Sequence, residues 1–271
     1  MTLVTTEPTT LTENELKFAH ALFDAYQTRK PLTEKDWQDT VTTDERAYAV
    51  QDKLTALKRE AVGGYKVSLT SAKTQAMFAA TSPLYGAQVK SHFLTSPATV
   101  SLQTLMEPLV EVELAFEATA DLLPTDSLSD LMAKTNVAGA LELPDSRFAD
   151  WFPQLSKYMV MADAAVGGLV VYSQPRPTTS LFKDVDQVTK VACELTHDNE
   201  TVASGQASEV LGNPLNSLHW LVAQLADQGK TFKAGQMVSA GTFVLPPALT
   251  TGTWHVDFTH GLASVTVTVT A

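Results

Sequence analysis

Glu111 and Glu113 stand two residues apart in the apolar run Pro108-Leu-Val-Glu-Val-Glu-Leu-Ala-Phe116. Side chains on a β-strand alternate between faces, so this spacing sends both carboxylates to one side. Converging carboxylate oxygens are what a hard divalent cation binds. A third acid, Glu142, lies in a second apolar run, Val137-Ala-Gly-Ala-Leu-Glu-Leu143, and a lone cation, Lys66, in a third, Val62-Gly-Gly-Tyr-Lys-Val-Ser-Leu69. Charges in strands destined for burial are costly unless paired or metal-bound, so these four positions need a reason. Plainer readings exist: the solvent face of a half-exposed strand also produces Glu-x-Glu, and a lysine at a strand edge can snorkel to water. The flanking Val110, Val112, Leu114, Ala115 and Phe116 leave little of the Glu111–Glu113 run built for water.

Sheet must position these side chains, and the chain changes texture where sheet begins. Thr12 followed by Glu15 has the form of a capping box, and Leu16, Ala19, Leu22, Phe23 and Tyr26 then recur at helical spacing. Pro31 closes that helix, and a second from about Asp44 carries Ala47, Val50, Leu54 and Leu57 on one face. Residues 1–60 are therefore expected to form a helical subdomain. From Val62 onward, residues 61–271 read as short β-runs rich in Val, Leu and Thr, broken by Gly, Pro, Asn and Asp. Asp198-Asn199-Glu200 predicts a hairpin between Val188–Leu195 and Thr201–Val210, and Trp254–Phe258 with Leu262–Val269 predicts two closing strands. Asn213-Pro214 opens a helix with an apolar stripe of Leu218, Leu221, Val222 and Leu225, ended by Gly229, and a weaker helical pattern runs from Pro153 to about Met161. Helices first and strands after argue for an α+β fold rather than alternating βαβ units, and no glycine pattern makes a dinucleotide fingerprint.

Composition narrows the function classes. The 271 residues, 44% hydrophobic, are enough to bury a substantial core. Thirty acids against nineteen bases, a formal charge of −11, argue against nucleic acid or an anionic membrane as partner. The single cysteine, Cys193, excludes an internal disulfide and a thiolate metal cluster, and fits a reducing cytoplasm. Residues 1–7 carry no export signal, and no apolar run reaches transmembrane length. The six histidines show no metal-ligand spacing, no Gly-x-Ser-x-Gly elbow supports a serine nucleophile, and Trp151, Trp220 and Trp254 read as packing residues.

Beyond these residue-level readings, the chain resembles the 2-keto-4-pentenoate hydratases and related 4-oxalocrotonate decarboxylases of the fumarylacetoacetate hydrolase superfamily. Gly64-Tyr65-Lys66-Val67-Ser68-Leu69-Thr70-Ser71 is similar to that family's Gly-Tyr-Lys-Ile-Gly-Leu-Thr-Ser segment, and Glu111-x-Glu113 to its metal-binding pair. Leu141-Glu142-Leu143-Pro144-Asp145-Ser146-Arg147, with Asp150-Trp151, resembles the segment that brings a third acidic ligand. Leu211-Gly212-Asn213-Pro214 and Gly261-Leu262-Ala263-Ser264-Val265 are similar to further family segments. The resemblance implies a mixed β-roll or barrel of the fumarylacetoacetate hydrolase C-terminal type after the helical region, and a homo-oligomer. It also implies Mg²⁺ or Mn²⁺ held by Glu111, Glu113 and Glu142, with Lys66 and Asp163 catalytic and Tyr65, Thr70 and Thr242 binding substrate. The substrate implied is a small 2-oxo or 2-hydroxydienoic acid, whose carboxylate and 2-oxo group chelate the metal while it stabilises an enolate.

Several positions depart from that pattern. Ala164, Val166 and Gly167 stand where the family has Asn, Ser and Ser, and Thr81 and Leu84 where it has aspartates. Hydration of a 2-hydroxy-2,4-dienoate is the leading expectation. Decarboxylation of a 2-oxo acid, a fold that keeps the metal after catalysis has decayed, and hydrolysis of an acylpyruvate are the alternatives.

Overall fold

The computed structural model describes residues 10–271, so the reading of residues 1–7 lies outside the described residues. Helix α1 (Glu13–Thr28) starts where the capping box places it: the Glu15 amide donates to Thr12 Oγ1 at 3.3 Å, and the Glu15 carboxylate accepts from the Thr12 amide at 2.7 Å. It buries Phe18, Ala19, Leu22 and Ala25, and a left-handed Arg29 (φ 58°) turns the chain away. Helix α2 (Asp44–Leu57) packs against α1 and buries Ala47, Val50 and Leu54. It also buries Gln51, whose amide nitrogen donates to the carbonyls of Tyr85 (3.1 Å) and Met161 (2.7 Å) while its oxygen accepts from the Ala87 amide (2.9 Å). One polar side chain thus locks the helical region onto the sheet, and every buried polar atom of it is satisfied.

The strands are β1 (Val62–Ser68), β2 (Leu84–Val89), β3 (Phe93–Thr95), β4 (Ala98–Ser101), β5 (Glu111–Ala118), β6 (Thr135–Leu143) and β7 (Leu169–Tyr172). They continue as β8 (Arg176–Pro177), β9 (Ala192–His197), β10 (Glu200–Gln206), β11 (Met237–Ser239), β12 (Gly252–Phe258) and β13 (Val265–Thr270). One mixed sheet has the order β2-β1-β11-β5-β6-β7-β3, with β8 beside β6; the other runs β10-β9-β12-β13-β4. The parallel pairs β1–β11, β3–β7 and β4–β13 sit among antiparallel ones, which makes this an α+β fold with mixed sheets. Close passage of β11 along β1 requires Gly64, because a Cβ there would lie 1.8 Å from the Met237 carbonyl oxygen.

The hairpin forms across Asp198 (φ 50°) and Asn199 (φ 69°), both left-handed as a type I′ turn demands. Its arms are shorter than the sequence suggests. Val188 belongs to a helical turn, Val185–Val188, so β9 begins at Ala192, and the chain leaves β10 at Gln206 for a 3₁₀ turn. The helix expected from Pro153 forms only over Lys157–Ala162, since the chain before it is a turn closed by the Leu155 amide on the Trp151 carbonyl. The Pro214–Asp227 helix forms as its Asn213 cap and Pro214 foretell.

Candidate metal and active site

In the β5–β6 register Glu111 faces Glu142 and Glu113 faces Ala140. Directly paired residues share a face, so the three acids project together while Val112, Leu114 and Phe116 enter the hydrophobic core behind them. One oxygen from each of Glu111, Glu113 and Glu142 lies within 4.8 Å of the others. Glu113 and Glu142 are each 1% exposed, and Glu111 stands at the edge of a cavity.

Lys66 reaches this cluster from β1, two strands removed from β5. Its Nζ is 2.5 Å from Glu142 Oε1 and 3.7 Å from Glu111 Oε2. On a flat sheet β1 and β6 would be about 14 Å apart, with their side chains standing parallel. The contact therefore reports a sheet that curls around the acids. Ser239 Oγ, on the intervening β11, donates to Glu142 Oε2 at 2.8 Å, and the Gly241 amide donates to Glu113 Oε2 at 2.8 Å. Gly241 is confined to glycine twice over: its φ is +118°, and a Cβ would come within 2.3 Å of Thr70 Oγ1.

Three acids and one ammonium in a shared buried space are short of positive charge. Burial pushes the Glu111 carboxyl up to about 7 against the pull of Lys66, and burial with the Glu142 and Glu111 charges pushes Glu113 well above the usual carboxylate range. Burial alone would depress the Lys66 ammonium, but Glu142 and Glu111 more than offset it, so it is held protonated. A hard divalent cation fits this donor set: the ligands are all carboxylate oxygens, they converge, and a cation would supply the missing charge.

A cavity opens onto the cluster, lined on its polar side by Lys66, Glu111, Glu113, Ser68, Thr70 and Thr242. Five of the eight residues singled out from the sequence thus meet there, and Glu142 joins them from behind. The Thr242 hydroxyl gives its proton to the Val244 carbonyl (3.0 Å), whereas among the described residues Ser68 and Thr70 hydroxyls have no protein partner. Tyr65 points to the opposite face of β1, its ring edge-on to Tyr85 at 5.9 Å and 5.6 Å from Phe232. Asp163 is not among the lining residues. It is fully buried, paired with Arg147 Nε, and accepts from Ser146 Oγ (3.0 Å) and the Arg147 amide (2.9 Å). Ser239 and the Gly241 amide join the site with no chemical motif to announce them; their trace in the chain is Ser239-Ala240-Gly241 after the apolar Met237-Val238.

The segment after Asp163 has an unusual backbone. Ala164, Ala165 and Val166 are all left-handed (φ 50°, 54° and 51°), and Val166 presents its side chain to the cavity. A β-branched residue in that region is an outlier. Buried bonds hold the turn: the Gln88 amide on the Ala164 carbonyl (3.2 Å), the Asp145 amide on that of Val166 (2.9 Å), and Arg147 Nη1 on that of Gly167 (2.7 Å).

A curled mixed sheet with a buried carboxylate triad and an adjacent lysine defines a metal-dependent enzyme fold of the fumarylacetoacetate hydrolase class. The chain has a TM-score of 0.86 to 4-oxalocrotonate decarboxylase from Pseudomonas putida G7 complexed with magnesium and adipate, at 25% identity, over 96% of this chain and 99% of that one. A fumarylpyruvate hydrolase from Pseudomonas aeruginosa, in complex with Mn²⁺ and pyruvate, shares the fold more distantly at a TM-score of 0.60 and 14% identity, over 76% of this chain and 88% of that one. By sequence, the 2-keto-4-pentenoate hydratase of Paraburkholderia phymatum is 33% identical over 247 residues, 88% of this chain and 90% of that protein. The 2-oxo-hept-4-ene-1,7-dioate hydratase of Escherichia coli is 30% identical, over 80% of this chain and 83% of the relative. The chain belongs to the 2-keto-4-pentenoate hydratase family. No protein-family model matches it. No described helix is long and apolar enough to cross a membrane.

Proposed function

We propose that this protein is a hydro-lyase that adds water to a 2-hydroxy-2,4-dienoate, using Mg²⁺ or Mn²⁺ held by Glu111, Glu113 and Glu142. The observation that carries the reading is the convergence of these three carboxylates within 4.8 Å, with Lys66 against Glu142, in a chain of the hydratase family. When bound, the metal supplies Lewis acidity at the substrate's 2-oxygen and a seat for its carboxylate. In the reaction the 2-hydroxyl proton leaves and a proton adds to the far end of the diene. Water then adds across the remaining double bond, hydroxide at one carbon and a proton at its neighbour. Lys66 is the group that exchanges those protons, because it is the one cation among the described lining residues of the cavity and stands beside the acids that would hold the metal.

Thr70 and Ser68 orient the substrate through hydroxyls that have no competing protein partner. Thr242 shapes the turn carrying Gly241 and would bind substrate only after releasing Val244. Tyr65 and Asp163 act as positioning residues, Tyr65 by packing β1 from behind and Asp163 by holding Arg147 and the turn that carries Val166.

The structural likeness to a decarboxylase supports a second reading, loss of CO₂ from a 2-oxo acid at the same metal. Incubating the Mn²⁺-loaded protein with 2-hydroxypenta-2,4-dienoate separates the two from each other and from inactivity. A 4-hydroxy-2-oxo acid as product supports hydration. Its absence, with CO₂ released instead from 2-oxohex-3-enedioate, would replace hydration by decarboxylation. Family membership and the lone buried Cys193 further support a homo-oligomer working in a reducing cytoplasm, the former checked by sedimentation equilibrium.

A further inference from the structure

We infer that the substrate's tail is apolar and uncharged, so that the enzyme takes a monocarboxylic 2-hydroxydienoate and rejects a dioate; the inference rests on the metal-site reading above. The cavity has two unlike walls. Beside the carboxylates and hydroxyls, its lining includes Leu69, Phe78, Trp151, Phe152, Val160 and Val166. The one cation among the described lining residues is Lys66, and it already serves Glu142 and Glu111.

Among the described residues, no second cation lines the cavity to meet a distal carboxylate. Lys157, next to this wall in sequence, lies 3.0 Å from Asp44 and outside the lining. Arg147, beyond Pro144, is buried and spends its donors on Asp163 and the Gly167 carbonyl. Lys73, on the short helix Ala72–Met77, lies outside the lining as well. A carboxylate buried without a cation bears a desolvation penalty, and the two further polar lining residues, Ser71 and Thr74, have their hydroxyls bonded to each other at 3.0 Å. A flat or branched hydrocarbon tail would instead gain by covering the aromatic and aliphatic side chains. Tail charge is also where the relatives differ, since one of similar identity is named for a pentenoate and another for a 1,7-dioate, so family membership leaves the choice open.

The test compares three ligands by calorimetric titration of the Mn²⁺-loaded protein: oxalate, 2-oxohexanoate and 2-oxohexanedioate. Oxalate has the chelating end and no tail, and the other two differ in one terminal carboxylate. The expected result is that 2-oxohexanoate binds on the order of 100-fold more tightly than 2-oxohexanedioate, with oxalate also binding. If oxalate binds but the dioate binds as well as the monoacid, the tail inference is overturned while the metal-site reading stands. If oxalate fails to bind too, the metal-site reading falls and takes the inference with it. Phe152→Arg, at a half-buried wall position, should shift the ratio toward the dioate by about tenfold or more. A folded variant with an unchanged ratio would place the tail elsewhere and overturn the assignment.

Discussion

Glu111 on β5 stands directly opposite Glu142 on β6, an acid facing an acid across adjacent strands. Like charges at paired positions destabilise a sheet, and this pair shares its buried space with a third acid, Glu113. Lys66, 2.5 Å from Glu142 and 3.7 Å from Glu111, supplies part of the compensating charge. The cluster is therefore poised between two sources of positive charge, its own lysine and a metal.

Replacing that lysine should separate stability from chemistry. Lys66→Met leaves the buried acids without their counter-charge, and the metal-free variant should be less stable by about 3 kcal/mol in urea unfolding. Added Mn²⁺ should restore more stability to the variant than it adds to the parent protein. Turnover should fall by about 10²- to 10⁴-fold even with metal bound. Full turnover in the metal-loaded variant would remove Lys66 from the proton path.

Gly241→Ala tests the backbone donor to Glu113. The left-handed φ and the close approach to Thr70 should cost roughly 1–3 kcal/mol of stability. Displacing the amide that bonds Glu113 should also weaken Mn²⁺ binding by about 10- to 100-fold, the range typical of supporting contacts around a metal. A variant destabilised but unchanged in Mn²⁺ affinity would show that the Gly241 amide does not set the ligand's position.

Asp163→Asn probes a buried ion pair rather than the cavity. Arg147 would be left in the interior without its anion, at a cost of about 3–5 kcal/mol. Mn²⁺ affinity of the folded fraction should be unchanged, because Asp163 does not line the cavity. A variant of normal stability that loses only turnover would return Asp163 to a direct catalytic role.

Acid sensitivity should come in part from the helical region. The Arg46 guanidinium bonded to Glu15 holds its carboxyl at about 2, against an ordinary value of 4.5. Depression favours the folded state while Glu15 is ionised, so this stabilisation is fully present above pH 4.5 and disappears as pH falls through about 2. Glu15→Gln should therefore be less stable than the parent by about 2–3 kcal/mol at neutral pH, with the gap closing between pH 4.5 and 2. A gap that stays constant over that range would show that Glu15 contributes through packing alone.

Much of this was legible in the chain because local signals and tertiary structure agree. The Thr12–Glu15 box, the Asn213 cap and the Asp198-Asn199 turn each specify their own geometry from a few neighbouring residues. Alternation placed Glu111 and Glu113 on one face, but their meeting with Glu142 depends on register, and their meeting with Lys66 on the curl of the sheet. Neither is encoded by spacing along one strand. The left-handed run Ala164–Val166 was illegible for a different reason: no glycine or asparagine marks it, and it is imposed by buried bonds from Gln88, Asp145 and Arg147. Asp163 shows the reverse limit: a retained motif acid reveals nothing of its surroundings, and the structure buries it against Arg147.

The central claim is that Glu111, Glu113 and Glu142 form a metal site that accepts a chelating 2-oxo acid. Calorimetric titration of Mn²⁺ into metal-free protein, with and without oxalate and repeated on Glu113→Ala, tests it most directly. The expected result is Mn²⁺ binding that oxalate strengthens, both lost in the variant. Absence of Mn²⁺ binding to the parent protein, or equal binding by Glu113→Ala, would contradict it and leave the three acids and Lys66 as a purely structural cluster.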